Sequence, residues 1–154
     1  MTNILFRLTA TVVALFSVAV SLVQVAPAQS KRNRFDPDGS FWIKGDHPNG
    51  FSDFGGINLN AKGDKRLPKP GLELINGPRF RFSKLSVSRE RFTFTTVTIS
   101  NISYSFSGRF LKGGVYGAGN LDDETPVLEG TLVKYRNGKK IAEAKLSLVY
   151  FGGT

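Results

Sequence analysis

From Arg79 onward apolar and polar residues alternate one by one, and this constrains the fold more than any other feature of the chain. Phe80 and Phe82 alternate with Arg79 and Arg81, and Phe92, Phe94 and Thr96 with Thr93, Thr95 and Val97. Tyr104, Phe106, Gly108 and Phe110 alternate with Ser103, Ser105, Ser107 and Arg109. Successive side chains of a strand point to opposite faces, so each segment has one apolar and one polar face. The Phe, Thr, Val and Ile content suits strand, and no stretch after residue 28 keeps a helical period for three turns.

The sharpest local signal is near the C-terminus. Val127–Tyr135 and Ile141–Phe151 flank Arg136-Asn137-Gly138-Lys139, and Asn-Gly meets the positive-φ demand of a type I′ hairpin turn. A two-residue loop pairs Arg136 with Lys139. Carried along both strands, that register puts Val127, Glu129, Thr131, Val133 and Tyr135 on one apolar face with Ala142, Ala144, Leu146 and Leu148. Gly130, Lys134, Glu143, Lys145 and Ser147 take the other face, with Leu128, Leu132 and Ile141 as exceptions.

Residues 41–78 are broken by Gly and Pro, so only short strands fit there: Phe41–Lys44, Gly56–Leu59 and Leu72–Ile75. The sum is an all-β domain of seven to nine strands, an antiparallel sandwich or a small closed barrel.

The chain opens with a different kind of segment. Leu8–Ser30 carries no charge, is mostly apolar, and contains Ala26-Pro27-Ala28 followed by polar Gln29 and Ser30. This is the layout of a secretory signal peptide cleaved after Ala28. It predicts a secreted or periplasmic protein with no transmembrane span after cleavage, the alternative being an uncleaved N-terminal membrane anchor. Residues 29–40 read as a flexible basic arm and residues 41–154 as the β-domain. There is no cysteine, which removes disulfides, thiol catalysis and thiolate metal sites.

Lys and Arg number 21 against 12 Asp and Glu, a net charge of +9, with the excess concentrated in residues 29–91. Such a field draws anionic partners: an anionic polysaccharide, a cell-wall polymer or an anionic lipid. Arg79, Arg81, Lys84, Arg89 and Arg91 form the candidate anion-binding surface, with Lys62, Lys65, Arg66 and Lys69 in a second basic loop. Basic and aromatic residues interleave here as in some nucleic-acid binders. Alternation sends rings and charges to opposite faces, and export also argues against nucleic acid.

The loop 41–56 holds the single Trp and the single His. Trp42, Asp46, His47, Phe51, Asp53 and Phe54 are its candidate ligand contacts, rings for stacking on sugars and carboxylates for hydroxyls. The competing expectation is that the aromatics plug one end of the core. Glu129 joins the candidates because the expected register puts it on the apolar face, where a lone carboxylate is costly. No nucleophile elbow or His-Glu-x-x-His is present, and a calcium loop opening at Asp36 fails at position six (Phe41) and twelve (His47). No metal, cofactor or catalytic residue is assigned. Asp122-Asp123-Glu124 reads as a solvated acidic turn. The leading expectation is a non-enzymatic β-domain that binds an anionic or carbohydrate partner at the envelope. Alternatives are a barrel of the lipocalin type holding a small apolar ligand, and an enzyme using carboxylates.

Overall fold

Eight antiparallel strands form one sheet in a computed structural model that describes residues 35–111 and 125–151. They are β1 Gly39–Ile43, β2 Phe54–Leu59, β3 Gly71–Leu74, β4 Phe82–Val87, β5 Phe92–Thr96, β6 Ile102–Phe110, β7 Pro126–Arg136 and β8 Lys139–Phe151. The expected signal peptide 1–28, residues 29–34 of the expected arm and the expected acidic turn 122–124 lie outside the described residues.

The sheet order is β3-β2-β1-β8-β7-β6-β5-β4. Every neighbouring pair except β1–β8 is consecutive in sequence, so the chain meanders up and down. The last strand returns to pair with the first, joining Ser40–Ile43 to Leu148–Phe151. The two outer strands of this order, β3 and β4, touch at one point. Leu72 and Phe80 exchange both backbone hydrogen bonds, at 3.0 and 2.8 Å. The sheet is thus a nearly closed barrel with a seam between β3 and β4.

Phenylalanine fills the inside. Phe41, Phe92, Phe94, Phe106 and Phe110 are all buried. Phe92 stacks on Phe110 and Phe94 on Phe106, each pair with centroids 5.6 Å apart. Fully burying such a side chain contributes about 1.5–3 kcal/mol, which offsets the lack of any disulfide. The inward residues of β5 and β6 are those the alternation assigns. Thr96, buried among them, accepts a hydrogen bond from the Tyr104 amide through Oγ1 at 2.9 Å.

Residues 35–40 of the expected arm are held against the barrel. Phe35 packs edge-on against Phe110, and the Asp38 carboxylate accepts hydrogen bonds from the amides of Ala61 and Lys62. β1 accordingly begins at Gly39.

The hairpin turn forms as expected, with Asn137 at φ 51°, Gly138 at φ 75°, and Arg136 opposite Lys139. Its register does not run on unbroken. Tyr135 pairs with Lys140 but Lys134 with Ala142, so Ile141 is bulged and half-exposed. One extra residue reverses the face of what lies beyond it, as far as a second bulge at Val127, which is fully buried as the sequence predicts. The inner face of β7 is therefore Leu128, Gly130, Leu132 and Lys134, and Glu129 points outward.

Candidate functional site

The predicted ligand contacts of loop 41–56 are divided between the inside and the outside of the barrel. Phe51 and Phe54 are fully buried and close the core, the plug anticipated as the competing expectation. His47 donates from Nε2 to the Phe54 carbonyl at 2.8 Å, which fixes the imidazole to the plug. Asp46 is exposed. Asp53 faces Lys134 across 3.3 Å, and the Lys134 ammonium, turned inward by the bulge, lies 5.7 Å from the centre of the Tyr104 ring. Burial, reinforced by the Asp53 charge, holds the Tyr104 hydroxyl well above the usual tyrosine pKa. That hydroxyl is buried without a hydrogen-bond partner.

Trp42 stands on the outer face of β1, 44% exposed, with its ring 5.6 Å from that of Phe151. Glu129, expected on the apolar face, lies on the outer face of β7 and pairs with Arg109 at 2.6 Å. The burial argument that singled it out falls with the register; the pairing with Arg109 accounts for its charge.

The basic residues follow the free edge of the sheet. Arg79 and Arg81 flank the bridging Phe80, Lys84 lies on β4, and Arg89 and Arg91 lie in the turn after it, where Ser88 Oγ accepts from the Arg91 amide. They extend from one end of β4 to the other, so they do not share one face of a single strand. Among the described residues, Arg79, Arg81, Lys84 and Arg91 have no carboxylate within ion-pair distance. The second basic loop is different. Lys62 pairs with Asp36 and Arg66 with Asp64, and hydrogen bonds from Arg66 bring the Asp64 carboxyl down to about 2. Lys65 and Lys69 have no carboxylate within ion-pair distance among the described residues.

Two open pockets border β4. One, of about 480 Å³, lies at the seam and is lined by Lys69, Arg79 and Arg81 above apolar Pro70, Phe82 and Leu85. The other, of about 530 Å³, covers the outside of β4 to β7. The register makes it a grid of hydroxyls: Ser86, Thr93, Ser107 and Thr131 face one another in one row, Thr95 and Ser105 in the next, with Lys84 and Arg91 at the margin. The alternation contained this hydroxyl face, since Ser103, Ser105 and Ser107 are the polar partners of the β6 aromatics. Its ordering into rows needed the strand register.

Among the described residues no helix is long and apolar enough to cross a membrane. No family model matches the chain, and no curated protein or solved structure matches it either.

Proposed function

We propose that this is an exported, non-enzymatic binding domain that uses the outside of its barrel to hold an anionic partner. The carrying observation is the uncompensated row Arg79, Arg81, Lys84 and Arg91, which borders two adjacent open pockets along β4. Exposed cations with no internal carboxylate attract polyanions over a Debye length, about 8 Å at physiological salt. The hydroxyls beside them donate to acid groups or sugar hydroxyls. The mutual stacking of Phe92, Phe94, Phe106 and Phe110 speaks for an outer rather than an inner ligand site, because these rings occupy each other's faces.

The test is retention of the purified protein on an immobilised acidic polysaccharide during a salt gradient. The triple variant Arg81→Gln, Lys84→Gln, Arg91→Gln should elute at clearly lower salt while its circular dichroism is unchanged. Co-elution of variant and parent would count against the reading. Export has its own check, the N-terminal sequence of the protein recovered from its producing cell, expected to begin at Gln29.

A further inference from the structure

We propose that the outer face of β1 to β3 holds an acidic saccharide, with one sugar ring on Trp42 and an acid group at Asn58 and Arg79. This rests on the reading above, that the partner is anionic, and it names the partner's chemistry.

The geometry begins with two glycines. Ile57 and Leu72 point inward, so their neighbours Gly56 and Gly71 face outward and leave slots in the sheet surface. A Cβ on Gly56 would stand 3.6 Å from Cδ1 and Nε1 of Trp42, so the indole lies over the first slot. A Cβ on Gly71 would stand 3.0 and 3.1 Å from Cγ and Cδ of Arg79, so the arginine stem lies over the second. Asn58 sits between them. It is two residues along β2 from Gly56 and the direct cross-strand partner of Gly71, which puts its side chain on the same outer face as both.

Asn58 thus lies on the outer face between the two covered glycines, and it is 2% exposed. Its Nδ2 is buried with no hydrogen-bond partner, and so is Nε of Arg79. Each orphan donor costs about 1–3 kcal/mol. A carboxylate, with two oxygens and no protons of its own, accepts from both once the half-buried Arg79 side chain turns outward. Uncompensated charge on Arg79, with Lys69 and Arg81 in the adjoining pocket, favours an anion over a neutral acceptor.

The aromatic end supplies the other half. Trp42 is propped by Phe151 and nearly half-exposed, a flat apolar platform for the C–H face of a pyranose. From β1 to β3 is two strand spacings, about 10 Å, the reach of one sugar ring and the acid group of the next.

Trp42 is the only tryptophan, so its emission reports on this site. The purified protein is titrated with oligogalacturonate, with a dextran oligomer of equal length and with inorganic phosphate, and oligogalacturonate binding is measured in parallel by calorimetry. Oligogalacturonate should change Trp42 emission saturably and the dextran should not; phosphate should compete only weakly, since it lacks the ring. Asn58→Ala and Arg79→Gln should each weaken the response about tenfold, the loss of one charge-assisted hydrogen bond. If Asn58→Ala fails to fold, Arg79→Gln carries the test, since its stem still covers Gly71. Calorimetric binding with silent Trp42 emission, or unweakened binding by both variants, would overturn this site and leave the anionic reading standing. Retention on the acidic column without oligogalacturonate binding would also overturn the saccharide inference alone. Loss of both would overturn the reading beneath it.

Discussion

The barrel closes in two places, and the two closures are built differently. Between β1 and β8, Ser40 to Ile43 pair continuously with Leu148 to Phe151, over a layer in which Phe41 and Leu148 are fully buried. Between β3 and β4, one residue pair, Leu72 and Phe80, completes the circuit. Past that bridge β4 has no partner strand on its seam side among the described residues, and Leu85 is 45% exposed there. A sheet edge left open presents unpaired amide and carbonyl groups and is a liability unless managed. Here it is lined with cations and interrupted by a bulge between Phe82 and Lys84. The continuous closure carries stability, and the seam carries the uncompensated charge.

Removing a ring from the continuous closure should have the largest effect. Phe41 is fully buried and packs against Phe110 and Tyr150, at 5.8 and 6.0 Å. Phe41→Ala should cost about 3–5 kcal/mol, read as a lower midpoint in urea denaturation. A loss no larger than that of the seam variants below would erase the distinction between the two closures.

Next comes the hinge of the seam itself. Gly71 sits at φ 151°, and a Cβ there would approach the Phe80 carbonyl oxygen to 2.8 Å, the acceptor of the single bridge. Gly71→Ala should cost about 1–3 kcal/mol through backbone strain. It should also speed amide exchange at Leu72 and Phe80 while leaving Trp42 and Leu148 protected. Uniform acceleration across β1 and β8 would mean that the two closures open together.

How much of this was legible in the sequence depends on whether a feature is local. The inward residues of β5 and β6 follow from alternation alone, because consecutive side chains of a strand alternate whatever the strand pairs with. The turn at Asn137-Gly138 follows from φ alone. The face of β7 did not, because one bulged residue at Ile141 inverts it and turn chemistry does not encode a bulge three residues beyond Gly138. A signal was present: Leu128, Leu132 and Ile141 all stood as exceptions to the unbroken register, and one inserted residue removes all three. The candidate site was legible in part for the same reason. Trp42 and Arg79 could be named from residue type. Asn58 could not, since its place depends on the pairing of β2 with β3 and on two side chains lying over two glycines.

A pH titration sharpens the comparison from beneath the seam. The Tyr104 ring meets Phe80, the bridging residue, edge-on at 4.9 Å. Burial holds its hydroxyl above the ordinary tyrosine value, with Asp53 adding to the effect, and burial does the same at Tyr150 beside the continuous closure. A folded pKa raised above the unfolded one gives stabilisation that is complete below about pH 10. It is lost as pH climbs through the folded values, because the unfolded tyrosines release their protons first. The fall should approach about 1.4 kcal/mol per pH unit for each tyrosine involved. Tyr104→Phe should remove its share of the slope and cost little at neutral pH, because the hydroxyl it deletes has no partner. An unchanged alkaline slope would assign the loss to Tyr150 and the other closure.

The smallest effect belongs to the open edge. Leu85 shares the face of Phe94, its cross-strand partner, yet stays half-exposed because none of the described strands covers it. Leu85→Ser should change stability by no more than about 0.5 kcal/mol, as surface substitutions do, against several for Phe41→Ala in the same denaturation assay. The residue also forms part of the apolar floor beneath Arg79 and Arg81 in the seam pocket. The substitution should therefore leave the fold intact while weakening retention on an acidic polysaccharide less than the loss of Arg81, Lys84 and Arg91 does. A large stability loss would show that the seam is packed shut in solution by something more than the Leu72–Phe80 bridge, and the contrast between a stabilising closure and a binding edge would then fail.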